Sequence, residues 1–278
     1  MNVIGLGHTG CAIADKFGEY PQYNIYKIDK DLEGKRTFSV KPQDSPEDYE
    51  SNYASMKTFF RSLKGRSLLV VGGSGYISAI SLRLIQQLRD KCEVDVLYVQ
   101  PDAFLLSESK KMHERVTYNV LQQYARSGAI GTVYLISNPA LENILGEVPI
   151  MGYYDKLNEL IVSTMHMINV YRNTTPVMGG LPNINKDSTK RICTVGIFDI
   201  KENEEKLFFP LDTVREKGYI YSISKERLQT ESDLHKTITS QMKEKSQDDN
   251  VNISFGIFST DYNDDYGYVL AYSPNIQS

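Results

Sequence analysis

Residues 152–172 read GYYDKLNELIVSTMHMINVYR, and this stretch decides the fold. Its apolar side chains recur at the spacing of one helical face for about five turns, with no glycine or proline after Gly152. The pattern predicts a long helix with one buried face. Strands and helices alternate before it, and mostly strands follow it, so we expect a domain over residues 1–150, a central helix over 151–175 and a smaller domain over 176–278.

Composition narrows the class of protein. The chain has 278 residues, 41% of them apolar, and a net charge of −4 with interspersed charges, which argues against direct binding of nucleic acid or a membrane surface. Its three cysteines lie far apart without a CxxC spacing, so we predict neither a disulfide framework nor a bound structural metal. No signal-like N-terminal segment or membrane-length apolar run occurs, which predicts a cytoplasmic protein.

A glycine turn follows the first predicted strand. Residues 5–10, GLGHTG, lie between that strand and a helix. Glycines there let the backbone approach a phosphate, and the free N–H groups of the helix start favour negative charge. Asp29 ends the next strand, where a carboxylate would face a ribose or a hydrated metal. The pattern fits a dinucleotide-binding turn, and a ligand-free tight turn stays open.

A second glycine turn makes the predicted site composite. Gly72-Gly73-Ser74-Gly75 again lies between a strand and a helix, and a later strand ends near Asn138. Two such turns can hold a nucleotide from two sides. We therefore expect the site at the carboxyl edge of a parallel sheet.

The order of these motifs resembles the tubulin/FtsZ superfamily of filament-forming GTPases. Residues 7–19, GHTGCAIADKFGE, are similar to the tubulin opening GQCGNQIGAKFWE. Other segments resemble further family motifs in the same order, namely residues 72–75 (the start of GGGTGTG), 101–112 (KPFxFEGKKRM-like), 133–138 (a strand ending in a nucleotide-contacting Asn), 154–158 (FGAAN) and 251–256 with 263–271 (the NIxFG hairpin).

The resemblance implies GTP or GDP as the ligand, with Mg²⁺ as a candidate companion ion. Tyr154 would stack on guanine and Asn158 would bond its edge, although Tyr154 could instead be a core aromatic and Asn158 an exposed helix-start residue. The predicted nucleotide-binding residues are Gly7, His8, Thr9, Gly10, Cys11, Asp29, Gly72, Gly73, Ser74, Gly75, Asn138, Tyr154 and Asn158.

Two departures from the family pattern predict weak or absent GTP hydrolysis. Tyr76 and Ile77 replace small residues of the phosphate loop and add bulk beside the γ-phosphate position. The family's catalytic acids align with Asn185 and Ser188, which leaves Asp187 as the candidate catalytic residue.

Several alternatives to this interpretation stay open. Asp199 or Asp212 could serve as a relocated acid for hydrolysis. We expect head-to-tail self-association or a protein partner. The chain could also be a pseudo-GTPase scaffold without nucleotide, or a nicotinamide-dependent oxidoreductase.

Overall fold

The computed structural model describes residues 1–182, 191–247 and 250–278. The chain divides into two compact units, one of Met1–Val162 with Gln277 and the other of Ser163–Ile276 with Ser278. The predicted domain boundaries at residues 150 and 175 stay a prediction. Among the helices of the described residues, none combines the length and the apolar character needed to span a membrane.

The first unit is a parallel sheet with helices following its strands. Its strands lie in the order β3-β2-β1-β4-β5-β6, and every neighbouring pair is parallel. The strands are β1 (Asn2–Leu6), β2 (Asn24–Asp29), β3 (Thr37–Ser39), β4 (Gly65–Gly72), β5 (Cys92–Gln100) and β6 (Val133–Ser137). The apolar runs of β1, β4, β5 and β6 are buried nearly throughout, as expected for parallel strands covered on both faces.

The helices of this part of the chain fill the connections between the strands. They are α1 (Gly7–Phe17), α2 (Pro46–Ser51), α3 (Ser81–Arg89), α4 (Glu108–Ser127), α5 (Asn138–Leu145) and α6 (Tyr153–Arg172), with 3-10 helices at Tyr76–Ile80 and Ala103–Leu105. The predicted long helix is confirmed, because α6 runs unbroken for 20 residues. Its apolar stripe is buried, including Leu157, Ile161 and Ile168. Its role as a spine between two domains stays a prediction.

The sequence pattern places one helix wrongly. The polar, proline-containing residues 41–50 are typical of a surface loop, and the apolar spacing of residues 53–63 predicts a helix. Instead, Pro46–Ser51 forms α2, whose Ser45 cap accepts a hydrogen bond from the Asp48 N–H at 3.1 Å. Residues 57–62 form turns and residues 53–56 and 63 have no regular structure. Met56, Phe60 and Leu63 are buried, and their spacing resembles a helical period.

The second unit has a mixed sheet in the order β8-β12-β10-β11-β7, with β9 paired to β8. Its elements are β7 (Met178–Gly179), β8 (Ile192–Phe198), β9 (Glu205–Leu207), β10 (Glu216–Ser224), α7 (Lys225–Thr230), α8 (Leu234–Lys245), β11 (Asn252–Thr260) and β12 (Tyr266–Ser273). Helix α8 buries Leu234, Ile238 and Met242 in a cluster with Tyr219 and Tyr221 of β10.

The predicted terminal hairpin is wrong in its pairing. Strands β11 and β12 are adjacent in sequence, but β10 lies between them, parallel to β11 and antiparallel to β12. The polar turn at residues 261–265 therefore connects two strands that do not pair with each other. The sequence signal for a turn was correct, and the neighbour of each strand was not.

Candidate nucleotide site

The strands of the first unit end in step at one edge of the sheet. The register pairs their last residues across neighbouring strands, Leu6 with Ile28 and Val71, Gly72 with Val99, and Gln100 with Ser137. Gly7, Asp29, Gly73 and Asn138 therefore lie at or just beyond a common carboxyl edge, where open α/β sheets bind ligands. Both predicted glycine turns belong to this edge.

Helix α1 begins at this edge without a side-chain cap. Its N-cap residue is Leu6, whose side chain cannot accept a hydrogen bond, and Gly7 follows with a φ of +71°. His8 is exposed and Thr9 is partly buried. Because the first N–H groups of a helix carry partial positive charge, the start of this 11-residue helix can bind an anion.

Two glycines of the first turn are required by packing within the protein. A Cβ added to Gly10 would lie 2.5 Å from the Val70 carbonyl oxygen of β4. One added to Gly5 would lie 2.4 Å from the Gly10 carbonyl oxygen. These contacts bring α1 directly against β1 and β4, so the glycine spacing reflects helix–sheet packing as well as any approach of a phosphate.

The second turn packs against a buried tyrosine. A Cβ on Gly73 would collide with the hydroxyl of Tyr98, which is fully buried in β5 and donates to Glu114 Oε1 of α4 at 2.7 Å. Burial, followed by the negative charge of Glu114, holds the pKa of Tyr98 well above its usual range. A Cβ on Gly72 would lie 2.9 Å from Thr9 Cβ, so the two predicted turns lie close together.

Ser78 and His113 hold the end of this second turn. The Ser78 hydroxyl donates to the Gly75 carbonyl oxygen at 2.6 Å, and His113 Nε2 lies 2.8 Å from Ser78 Oγ and 3.1 Å from the same carbonyl oxygen. With its proton on Nε2, the imidazole donates to both oxygens. The sequence analysis missed this pair, because 35 residues separate the two side chains and no spacing rule joins them.

Ile77 and Tyr76 take different directions. Ile77 is buried, and a Cβ added to Gly7 would lie 2.6 Å from its Cγ2 atom, so Ile77 covers the start of α1. The Tyr76 ring instead lies edge-on to His113 at 6.2 Å. Of the two bulky residues that follow the glycine turn, only Ile77 lies against the first turn of α1 in these contacts.

Cys11 and Asp29 make local contacts. The Cys11 thiol is buried and lies 3.5 Å from the Gly5 carbonyl oxygen, and burial raises its pKa to about 12. It therefore stays protonated and only its backbone is available to a ligand. Asp29 is partly buried, and its Oδ1 accepts from the Lys30 N–H at 2.9 Å.

The predicted base-recognition residues lie on one helix with opposite exposure. Tyr154 is 61% exposed, so its alternative interpretation as a core aromatic is wrong. Asn158 is 7% exposed, so its alternative interpretation as an exposed helix-start residue is wrong as well. Asn138 is the first residue of α5 and partly buried.

Tyr153 is a further residue that the sequence analysis did not single out. Its hydroxyl is hydrogen-bonded to Glu142 of α5, and the negative charge of Asp102 also acts on it. Asp102 caps the 3-10 helix Ala103–Leu105. Burial raises the pKa of Tyr153 to about 12, and both carboxylates act in the same direction. Tyr153 thus connects the start of α6 to α5 by a hydrogen bond, and it interacts electrostatically with the segment that follows β5.

The candidate catalytic acids either lie outside the described residues or make local hydrogen bonds. Asp187, Asn185 and Ser188 lie outside the described residues. Asp199 Oδ1 accepts from the Lys201 and Glu202 N–H groups at 2.8 and 3.0 Å, and Asp212 Oδ2 accepts from the Ser278 hydroxyl at 2.9 Å. The two hydrogen bonds from the backbone lower the pKa of Asp199. Over the described ranges, no group of His, Cys, Asp and Glu side chains is arranged to hold a metal ion.

Solved structures share this arrangement of strands and helices. TubZ from Bacillus thuringiensis serovar israelensis, solved as GDP-form protofilaments, is 17% identical and aligns over 98% of this chain and 83% of its own, with a TM-score of 0.70. The chain has the tubulin/FtsZ fold.

Two other proteins of the tubulin/FtsZ fold align comparably. CetZ from Methanosaeta thermophila is 13% identical over 98% of this chain and 85% of its own, with a TM-score of 0.70. FtsZ from M. jannaschii, solved as an empty dimer, is 11% identical over 98% of this chain and 87% of its own, with a TM-score of 0.67. No protein-family model and no curated protein sequence matches the chain. The three structural alignments confirm the predicted tubulin/FtsZ fold class.

Proposed function

We propose that the chain binds a guanine nucleotide at the carboxyl edge of the first unit. The observation that carries this proposal is the uncapped start of α1, which lies in step with the second glycine turn at that edge. The polyphosphate would contact residues 7–11 and 72–75, with Asp29 beside the ribose or a Mg²⁺ ion. The N–H groups of the α1 start supply the positive potential that a polyphosphate requires.

The base would be recognised by Tyr154, Asn158 and Asn138. The exposed ring of Tyr154 offers a face for stacking. An asparagine amide presents one acceptor and two donors, so Asn158 can match the guanine edge, and burial makes an unmatched base costly.

We further propose that the chain self-associates through this edge. Large apolar side chains there are 61% to 94% exposed, namely Phe104, Leu105, Ile150, Met151 and Tyr154. The charge of Asp102, which precedes Phe104, acts on Tyr153, which follows Met151, so the two segments that carry these side chains lie in the same region. Clustered exposed apolar groups favour association, and repetition of one head-to-tail contact generates a filament.

Hydrolysis in this proposal is slow or absent. Ile77 covers the start of α1, where a γ-phosphate would have to be polarised. Any residual turnover would depend on Asp187. Phosphate release measured against protein concentration tests this step: brisk turnover that rises cooperatively with concentration and vanishes in Asp187→Ala would overturn it.

The second candidate function is a scaffold of the same fold without nucleotide. The contact between Ile77 and Gly7 favours it, because that side chain occupies space beside the anion-binding helix start. No contact of the described residues specifically favours the oxidoreductase alternative.

Calorimetric titration with GTP, GDP, ATP and NAD tests the proposal directly. We expect GTP and GDP to bind and ATP and NAD to bind at least about fivefold more weakly, since loss of a matched base edge costs about 1–3 kcal/mol. Equal affinity for ATP and GTP would contradict the base assignment. Absence of binding by all four would leave the scaffold.

Self-association has its own test in sedimentation velocity. Ile150→Asp puts a charge on the exposed edge and should abolish concentration-dependent assembly. Val177→Asp is the matched control, because Val177 is also exposed, at 63%, but belongs to the second unit. Assembly that survives Ile150→Asp, or is lost equally in both variants, would contradict the proposed surface.

A further inference from the structure

A cavity of about 420 Å³ lies in the first unit beside α2 and α4, apart from the proposed contacts of the nucleotide. This volume falls within the usual range of small-molecule sites, about 300–1,000 Å³. Its lining comes from α2 and its cap, from the 3-10 helix after the second glycine turn, from the start of α3 and from α4, and includes Glu47, Tyr76, Ser78, Leu82, Met112 and His113. We call it the α2–α4 cavity.

One wall of the α2–α4 cavity is apolar and open to solvent. Met112 and Val116, one turn apart on α4, are 72% and 57% exposed, and Leu82 of α3 adds to the same lining. Large apolar side chains exposed along a concave surface favour an apolar ligand. The wall would bury a hydrocarbon or aromatic group of the ligand.

A second part of the lining is acidic. Asp44, Glu47 and Glu50 line the cavity, and its lining within the described residues contains no lysine or arginine. Glu50 is ion-paired with Arg83 at 3.9 Å, so the negative charge of the lining comes mainly from Asp44 and Glu47. Burial lowers the pKa of His113, so its imidazole is neutral near neutral pH and adds no positive charge. The potential inside the cavity therefore favours a cation.

The floor of the cavity is connected to the second glycine turn. Ser78 and His113 both line the cavity, and both bond the Gly75 carbonyl oxygen. A ligand that contacts either side chain would therefore alter the hydrogen bonds that hold the end of the turn.

We propose that the α2–α4 cavity binds a small amphipathic amine and thereby regulates the second glycine turn. The apolar body lies on Met112 and Val116, and the ammonium group faces Asp44 and Glu47. The regulatory half of this proposal rests on the proposed nucleotide site, whereas the binding half does not.

Phenethylamine and phenylacetate are suitable probes, because they share an aromatic body and differ in the sign of their charge. Titration without nucleotide, followed by the imidazole resonances of His113, should show saturable shifts with phenethylamine and none with phenylacetate. Equal shifts with both, or no saturable shift with phenethylamine, would overturn the proposal.

Variants locate the bound amine. Glu47→Gln should weaken phenethylamine binding about 2- to 5-fold, the range of an exposed ion pair, and Glu19→Gln, an exposed acid outside the cavity, should not. Met112→Gln should weaken binding as well, whereas Val177→Gln, with similar exposure of 63%, should not. Because all four positions are largely exposed, folding should be preserved. Equal effects in variants and controls would show non-specific binding and overturn the site.

The regulatory half is tested by measuring GTP affinity with and without saturating phenethylamine. We expect at least a twofold change in the unaltered chain and none in Met112→Gln. An unchanged affinity would overturn the regulation while the binding site stands. If GTP does not bind at all, the proposed function fails, and the phenethylamine titration still decides the site by itself.

Discussion

Ile77 lies against Gly7, so close that a Cβ on the glycine would come within 2.6 Å of the isoleucine Cγ2 atom. A buried hydrophobic side chain thus covers the start of the helix that would hold an anion. The contact joins the second residue after the second glycine turn to the first residue after β1. Whether this contact leaves room for a phosphate distinguishes the proposed nucleotide site from the scaffold alternative.

Replacement of Ile77 by alanine should raise nucleotide affinity. The change removes bulk beside Gly7 and uncovers N–H groups of α1, and we expect GTP to bind several-fold more tightly by calorimetry. It should also lower the free energy of unfolding by about 2–5 kcal/mol, the usual cost of such a truncation. Ile80→Ala is the control, because Ile80 is also buried in the same 3-10 helix, whereas the close contact with Gly7 belongs to Ile77. Equal affinities in the two variants would show that Ile77 does not restrict the site.

The two glycine positions Gly10 and Gly75 should respond differently to a side chain. Gly10→Ala places a Cβ against the Val70 carbonyl oxygen and should destabilise the fold by about 1–3 kcal/mol in urea unfolding, as overpacking does. Gly75 has a φ of −81°, and a Cβ added there would come no closer than 3.8 Å to Ile77 Cγ2, so Gly75→Ala should fold normally. Reduced GTP affinity in Gly75→Ala therefore reports on the phosphate contact itself. Destabilisation of Gly75→Ala equal to that of Gly10→Ala would contradict this assignment.

Two buried tyrosine hydroxyls should differ in how much they contribute to the free energy of unfolding. Tyr98→Phe removes the 2.7 Å hydrogen bond to Glu114 Oε1 and leaves that oxygen only the longer one from Gln100 Nε2, at 3.5 Å. The change should cost about 1.5–3 kcal/mol, the range for a hydrogen bond to a charged group. The Tyr53 hydroxyl is buried without a hydrogen-bond partner among residues 1–182, 191–247 and 250–278, so Tyr53→Phe should be neutral or slightly stabilising. Thermal unfolding at neutral pH compares them, and a larger loss in Tyr53→Phe would contradict the structure.

The same tyrosine predicts a pH dependence. Burial raises the pKa of Tyr53 from 10.0 to about 12 in the folded chain. The folded state therefore holds this proton more tightly than the unfolded state, and the free energy of unfolding falls as the pH rises from about 10 to 12. Tyr53→Phe should make this fall shallower, measured by urea unfolding at several alkaline pH values. An identical slope in the variant would mean that Tyr53 does not contribute.

Asn158 is predicted to set the preference for guanine. Asn158→Ala should bring GTP and ATP affinities closer by about 1–3 kcal/mol, because the base edge loses its partner. Tyr154→Ala should weaken both nucleotides to a similar degree, since stacking on an exposed ring does not distinguish bases. Loss of both affinities in Asn158→Ala with no change of ratio would assign that buried side chain to structure.

Local periodicity predicted the long helix and the parallel strands, because α6 and the buried runs of β4 and β5 carry strong patterns. It failed where two signals competed. The buried residues Met56 and Phe60 imitated a helix, while the true helix began at the Ser45 cap and Pro46. The pairing of β10 between β11 and β12 depends on contacts distant in sequence, which no local pattern contains.

The candidate site shows the same limit. The glycine turns and the strand ends were predictable, because the residues that form each of them are adjacent in the sequence. The contacts of Ile77 with Gly7 and of His113 with Ser78 were not, because they depend on which connections come together at the sheet edge. The glycine pattern was also ambiguous in cause, since Gly5 and Gly10 are needed for the packing of α1 whether or not a phosphate approaches.

The burial of the thiols makes the chain suitable for site-specific labelling. Cys11 and Cys193 are buried, and burial also raises the pKa of the partly buried Cys92. Protonated thiols react slowly with maleimides and iodoacetamides, because these electrophiles are attacked by the thiolate form. A cysteine introduced at the exposed position Met151 should therefore take a fluorophore selectively in the unmodified background. Such a probe would report directly, by quenching or energy transfer, when two copies of the chain meet.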